Sequence, residues 1–367
     1  MAEKAIRLGG ESTADAIVSA VDAMYTEHTF AEKDFALKHN EDEISVDTNF
    51  AAQNFWKEAL IRFFNKKSAV LGLVLIVVIV LLAVFGPGMN SYTYSGQDLS
   101  QKNFAPRVPG IEQFGILDGS EKMSTTTGSK SVNAYVEKGK DDVYYWFGSD
   151  LYGRDIWTRT WEGARVSLII AVAAAIIDML IGMSYGLISG YFGGRVDMVM
   201  QRFLEVANGI PRLVIVTLLL LVLQPGMVTI IFALMLTEWV GMSRIARAEM
   251  LKLKDQEFVL ASRTLGAGSF FIIFKEVLPN IIGPIITQVM FSIPTAIFTE
   301  AFLSFVGLGI PVPQCSLGSL ISELYNSFTT HPYQIIPPIV VMSLLMLSFN
   351  LVADGLREAL DPKMKSM

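Results

Sequence analysis

A single cysteine, Cys315, stands among 367 residues, so the chain can form no internal disulfide and no cysteine-rich metal cluster. Histidine is almost as scarce: His28, His39 and His331 are scattered, with no paired-His or Glu-x-x-His spacing, which argues against a metalloenzyme. No Gly-x-x-x-x-Gly-Lys-Ser/Thr run is present, so there is no P-loop to bind and hydrolyse ATP. Charge is thin as well. Asp, Glu, Lys and Arg make up 17% of the chain, against about a quarter in soluble domains, and a net charge of −6 offers nothing to nucleic acid. What is abundant is apolar: 52% hydrophobic residues and a mean hydropathy of +0.45. This is the composition of an integral membrane protein, and it nominates no catalytic residue, metal site or bound cofactor.

Six segments are long and apolar enough to cross a bilayer, which takes roughly 17–25 residues: 68–85, 166–189, 203–223, 227–242, 281–305 and 335–352. Lys and Arg in the short connections set their orientation. Arg62, Lys66 and Lys67 flank the first segment, six basic residues lie in 243–280, and Arg357, Lys363 and Lys365 follow the last; 224–226 and 307–334 have none. Both termini are therefore expected on the cytoplasmic side of the membrane. The chain divides into a cytoplasmic tail (1–54, with no run suited to a signal peptide), an interfacial helix (55–67) and a first span (68–85). An extracellular subdomain (86–165), a five-span core (166–353) containing the cytoplasmic loop 243–280, and a tail (354–367) follow. The interfacial helix is expected because Trp56, Leu60, Phe63 and Phe64 share one face.

In the outer stretch, Ser124 to Ser131 (STTTGSKS) predicts a flexible patch, and Tyr135, Val136, Val143, Tyr144 and Tyr145 predict short strands. In the loop 243–280, a polar-edged helix over 249–265 is followed by Gly266, which suits a helix C-terminus. Ala261, Ser262, Gly266 and Ala267 give a small-residue surface that another protein can approach, and Pro279 marks the start of the next span. The loop far exceeds the usual connection of about 2–8 residues. Gly182, Gly186, Gly190, Gly193 and Gly194 permit close helix contact. Asp150, Arg154 and Asp155, near Gly153, are expected to form an Asp–Arg network ordering the outer mouth, below which Trp157 and Trp161 anchor a span. Asp178 near mid-span, Glu238 near an inner end and Glu300 near an outer end are functional candidates, since ionisable groups inside a membrane mark function; if the chain forms a pathway, Asp178 and Glu300 would line it. For Asp178 a structural hydrogen bond within the bundle stands as the other reading. Arg212 and Glu205 are expected to find partners on other helices.

Ala261, Gly266, Leu278 and Pro279 fall at the spacings of the "EAA…G…I-L-P" loop of binding-protein-dependent ABC importer permeases, which this chain resembles. Leu260, Ser262 and Glu276 depart from that consensus. Four further blocks resemble the peptide and nickel branch, and in particular the C-type permease subunits of oligopeptide importers: 55–87; Gly148 to Asp155 with Arg159 and 163–168; Glu300 to Gly309; and 350–363 (NLVADGLREALDPK). Residues 1–52 and much of 90–145 lie outside the resemblance.

The resemblance implies an all-α membrane protein of the type I ABC importer permease fold, with six transmembrane helices and an exposed subdomain between the first two. It implies coupling to ATPases through Glu257, Ala261, Ser262, Arg263, Gly266, Ala267 and Pro279. The implied partners are a second homologous permease, two cytoplasmic ATPase subunits that bind ATP and Mg, an extracellular or periplasmic peptide-binding protein, membrane lipid and peptide cargo. A dipeptide or nickel importer is the alternative within transport; a secondary transporter or membrane-embedded enzyme is the alternative outside it.

Overall fold

The computed structural model describes residues 55–125 and 128–360, so the expected tail 1–54 and the last residues, 361–367, lie outside the described residues. Five helices are long and apolar enough to cross a membrane, and a bent pair supplies a sixth crossing.

Helix α1 (Phe55–Asn65) ends where Lys66 turns to extended backbone, and α2 (Lys67–Phe85) then runs apolar on all sides. The expected interfacial face is divided. Trp56, Leu60 and Phe64, a turn apart, are exposed, whereas Phe63 packs with Ala69 against Val352 and Ala359 near the C-terminus. A 2.5 Å ion pair from Lys66 to Glu358 closes that contact.

The segment after α2 is built around Phe104, Tyr135 and Tyr145, with Tyr92 stacked on Tyr145 and the Arg107 guanidinium over the rings of Tyr135 and Tyr144. Two antiparallel strands, β1 (Ser120–Thr125) and β2 (Gly128–Asn133), form a hairpin within it. This corrects two expectations. The strands enter the polar stretch read as a flexible patch from both sides, and no alternating apolar pattern announces them; 126–127 lie outside the described residues. Tyr135 and Val136 sit instead on a short helix, α3 (Ala134–Glu137), whose first N–H groups are capped by the Asn133 side chain.

Helix α4 (Ile156–Phe192) begins ten residues before the expected span at 166, so the outer segment ends at Asp155 rather than 165. The charges that made 156–165 look like loop are all neutralised. Arg159 is fully buried in ion pairs, and Arg165 donates to the carbonyls of Ala83 and Val84, both at 3.0 Å. A π-helical turn, Asp178–Met183, interrupts α4.

The expected third span is not one helix. α5 (Gly194–Gly209) and α6 (Arg212–Val222) meet at 77°, because Pro211 gives no N–H to the ladder and holds Ile210 in extended backbone. Next comes α7 (Met227–Leu253), which continues beyond the expected end of its span at 242. Likewise the helix expected over 249–265 is broken: α7 ends at Leu253, and a separate α8 (Glu257–Thr264) follows. Helix α9 (Ser269–Leu308) is continuous through Pro279, so that proline lies inside a helix instead of marking its start. After α10 (Leu317–Tyr325), α11 (Pro332–Leu360) continues through 354–360, which are therefore not tail.

The main core surrounds α4, where Ile170, Ala171 and Ala174 meet Ile230 and Leu234 of α7, Ile293 and Ile297 of α9, and Leu345 of α11. A second core lies toward α8 and joins Leu187, Met242, Ala246, Met250, Val259 and Ile273. Between them α4 and α7 lie nearly backbone to backbone. A Cβ on Gly186 would collide with the Ser243 carbonyl, and one on Gly182 or Gly190 would press on Met242 or Met250. Gly193 and Gly194 do not join this contact; their positive φ values, 60° and 51°, turn the chain into α5.

Candidate functional site

Helix α8 is held by a single buried residue, Val259, which enters the second core beside Met250 and Ile273. Glu257, Ala261 and Arg263 are exposed, and Ser262 and Ala267 are half-buried. The helix ends in a Schellman turn: Ala267 N–H donates to the Ser262 carbonyl and Gly266 N–H to the Arg263 carbonyl, each at 3.0 Å. Gly266 takes the left-handed conformation this requires, with φ +85°. Arg263 is tied back to the body, its guanidinium 5.4 Å from the centre of the Tyr191 ring. The small residues do not make this surface alone. Leu260, Leu265 and Phe270 project from it, Leu265 with 88% of its surface exposed, so the turn carries an exposed apolar patch beside the small residues.

At the opposite end of the bundle four charges form a closed, neutral network. Arg154 pairs with Asp150 at 2.6 Å and with Glu323 of α10, and Arg159 of α4 pairs with Asp150 at 2.9 Å and Glu323 at 2.8 Å. Gly153 holds the turn between Asp150 and Arg154 at φ +71°, where a Cβ would strike the Asp98 carbonyl. Asp155 stands outside the network and does different work. Its carboxylate caps α4 through Thr158 N–H at 2.8 Å and accepts from Asn90 at 2.7 Å. Burial pushes the Asp155 carboxyl up, against those hydrogen bonds. Arg159 and Glu323 were absent from the expected network; they lie 164 residues apart, and nothing in local spacing pairs them.

Burial pushes the Glu323 carboxyl up, but the guanidiniums of Arg159 and Arg154 outweigh it and hold the group below its ordinary range. A depressed folded-state pKa gives stability that is complete above the unfolded value, about 4.3, and lost as pH falls through the folded one. The melting midpoint in detergent is thus expected to drop on acidification below about pH 4. Glu323→Gln should start lower and fall less over the same range; equal acid sensitivity in the two proteins would show that Glu323 is not the titrating group.

Neither pathway candidate lies on an open wall. Glu300 is fully buried, accepting from Ser304 at 2.7 Å, Ser316 at 2.5 Å and Ser167 at 3.3 Å, and so binds α9, α10 and α4 together. Asp178 is also buried, with one carboxyl oxygen lacking a partner.

The exposed polar groups at membrane depth are others. Arg212 donates to Glu238 Oε1 at 2.8 Å, and the Thr299 hydroxyl approaches the same oxygen at 3.4 Å. Glu205 pairs with Arg202 on its own helix, so Arg212 alone finds its partner elsewhere. Below Thr299, Asn280, Gln288 and Thr295 fall on one stripe of α9. The stripe ends in a cavity of about 1070 Å³ also lined by Glu249, Lys252 and Arg357. That polar stripe, at three- and four-residue multiples, is the signal in the sequence that points to this wall. No nucleophile elbow is expected from the sequence, yet Gly182-Met-Ser184-Tyr-Gly186 has the Gly-x-Ser-x-Gly spacing; it lies within α4, with no strand before it, so it forms no elbow. Among the described residues no group of His, Cys, Asp and Glu is placed to hold a metal ion.

Residues 182–366 match the family described as binding-protein-dependent transport system inner membrane component, and residues 54–106 match the N-terminal TM domain of oligopeptide transport permease C. The oligopeptide transport system permease protein OppC of Bacillus subtilis (strain 168) is 42% identical over 85% of this chain and 91% of its own length. The dipeptide transport system permease protein DppC of the same organism is 38% identical over 90% of this chain and 93% of its own. A chain of the MetNI methionine ABC transporter, solved in inward-facing conformations, aligns over 54% of this chain and 94% of its own at 16% identity, with a TM-score of 0.47.

Proposed function

Because the chain belongs to the family of binding-protein-dependent transport system inner membrane components, we propose that it is one of two homologous permease chains of an ATP-driven importer of oligopeptides. The observation that supports the ATP-driven part is α8, a short helix that buries only Val259 in the core and leaves most of its other residues exposed. Oligopeptides follow from the relatives, with dipeptides as the second reading.

In this reading α8 and both termini face the cytoplasm and residues 89–155 face outward. Two ATPase subunits seat against Leu260, Leu265 and the Gly266 turn, and they alone bind ATP and Mg. An external peptide-binding protein delivers cargo at the end held by the Asp150–Arg159 network. Such a system switches only through differential affinity for its states. ATP and the loaded binding protein must therefore favour the same outward-open arrangement. In that cycle this chain supplies one wall and the lever, without chemistry of its own.

Deletion of the gene, followed by uptake of labelled di-, tri- and pentapeptides, tests the cargo, and affinity purification of the chain tests the partners. Loss of tri- and pentapeptide uptake, with two ATPases and a second permease co-purifying, is the expected result. Unchanged uptake, or a chain purified without ATPase, would overturn the reading.

A further inference from the structure

The intramembrane ion pair of Arg212 and Glu238 is built differently from the charge network at the end of the bundle. The Asp150–Arg159 network lies at one end of the bundle, nearly sealed from solvent. By contrast Arg212 keeps 52% of its side chain exposed while Glu238 keeps 12%. Arg212 is the first residue of α6, and Glu238 follows the first eleven residues of α7, with the short turn 223–226 joining the two helices. Eleven residues rise about 16 Å, roughly half of a hydrocarbon core about 30 Å thick. The pair therefore stands near mid-depth, too far from either surface for a snorkelling side chain to reach water.

An arginine cannot face lipid there at tolerable cost, so its exposed side must meet water, cargo or a partner chain. Only one of its five N–H donors is engaged by a hydrogen bond, that to Glu238 Oε1. The remaining donors form a planar fork, matched to a carboxylate and held in place by Glu238 from behind. Thr299 and Thr295 of α9 continue the polar surface from it toward the cavity.

We propose that Arg212, oriented by Glu238, is a mid-membrane binding point for the carboxylates of a passing peptide, lining the aqueous path through the complex. This rests on the reading of the chain as a peptide permease. Glu238 here is a positioning residue: it holds the guanidinium in the open face and offsets its charge when no cargo is bound, so that the site does not trap an anion. A carboxylate meeting the fork exchanges a shared hydrogen bond for two of its own, and then yields it back.

Two measurements on the assembled complex in proteoliposomes test this, and they fail separately. The first is independent of cargo. Thr299→Cys in a Cys315→Ser background places a thiol beside the pair. It is expected to react with an anionic methanethiosulfonate several-fold faster than with a cationic one, and Arg212→Gln should reverse that preference. No reaction in either the resting or the ATP-hydrolysing complex would mean that the site is packed against lipid or the second permease, and the proposal falls. In the second, uptake of a free tripeptide is expected to fall about tenfold in Arg212→Gln and less than about threefold in Arg212→Lys, the loss expected from one charge-assisted contact. Wild-type uptake by Arg212→Gln overturns carboxylate binding even if the thiol reacts. If the thiol reacts as expected but the wild-type complex imports no peptide at all, it is the cargo reading that fails, and the aqueous site stands.

Discussion

Gly266→Asp is expected to leave the chain folded and inserted in the membrane while abolishing peptide uptake by the assembled transporter. The separation of these effects follows from the surroundings of the residue. No atom lies within 4 Å of the place a Cβ would occupy, so a side chain meets no steric barrier inside the subunit. What it meets is the left-handed backbone, φ +85°, which costs a residue with a Cβ about 1–2 kcal/mol. A carboxylate at the C-terminal end of α8 adds an unfavourable dipole contact of about 0.3–1 kcal/mol. Against a total stability of about 5–15 kcal/mol the fold survives. The turn does not survive as built: relieving the strain moves Leu265, the most exposed apolar residue of the region, and brings charge into the contact. Gly266→Ala, with strain but neither bulk nor charge, should fall between. Arg263→Ala removes only a cation–ring contact to Tyr191, worth about 0.5–1 kcal/mol at an exposed site, and should transport nearly as well as the wild type. Uptake and binding-protein-stimulated ATP hydrolysis in proteoliposomes, with melting in detergent as the control for folding, decide the matter. Wild-type rates for Gly266→Asp would show that α8 is not the lever.

Features that depend on neighbours in sequence were legible from it. The apolar spans, the Gly182, Gly186 and Gly190 contact with α7, and the glycine that ends α8 all follow from composition and period within one or two elements. The failures share a cause. The sequence places the start of α4 too late, for charged Arg159 and Arg165 precede the apolar run and their partners, Glu323 and the carbonyls of Ala83 and Val84, stand far away in the chain. An apolar span makes the Glu300 carboxylate conspicuous, but not its burial. The serines that satisfy it come from three different helices or their caps, and serine in a sequence gives no hint of that. The polar stripe of α9, from Asn280 through Gln288 and Thr295 to Thr299, is made of uncharged residues, and a search for charge passes over them. Pro211 is visible, but a proline predicts a break without its angle, here 77°; the contact of Leu204 of α5 with Trp239 and Val240 of α7 is not legible from the sequence. Backbone conformation and period are local properties, whereas the neutralisation of a buried charge is tertiary.

The second large effect is expected at Arg159, a large side chain that is fully buried. Its guanidinium lies between Asp150 at 2.9 Å and Glu323 at 2.8 Å, so Arg159→Met leaves two carboxylates with Arg154 as their only cation. An uncompensated charge in such a place costs about 3–5 kcal/mol, much more than the pair contributes when intact. Because Asp150 belongs to the turn before α4 and Glu323 to α10, the loss should loosen the end of the bundle where the 89–155 segment is attached by Gln334 to Asn103 and Ser149. Arg159→Met is therefore expected to melt far below the wild type, with thiol reagents gaining access to Cys315, now 1% exposed beside the Arg159 carbonyl. Glu323→Met alone should also be destabilised, since it leaves two guanidiniums with Asp150. The double variant Arg159→Met, Glu323→Met keeps the Arg154–Asp150 pair and restores neutrality with apolar side chains of similar length. It should be more stable than either single variant, with a coupling between the sites of about 0.5–3 kcal/mol. If the two single losses simply add, the network holds the outer end by packing and shape rather than by charge balance.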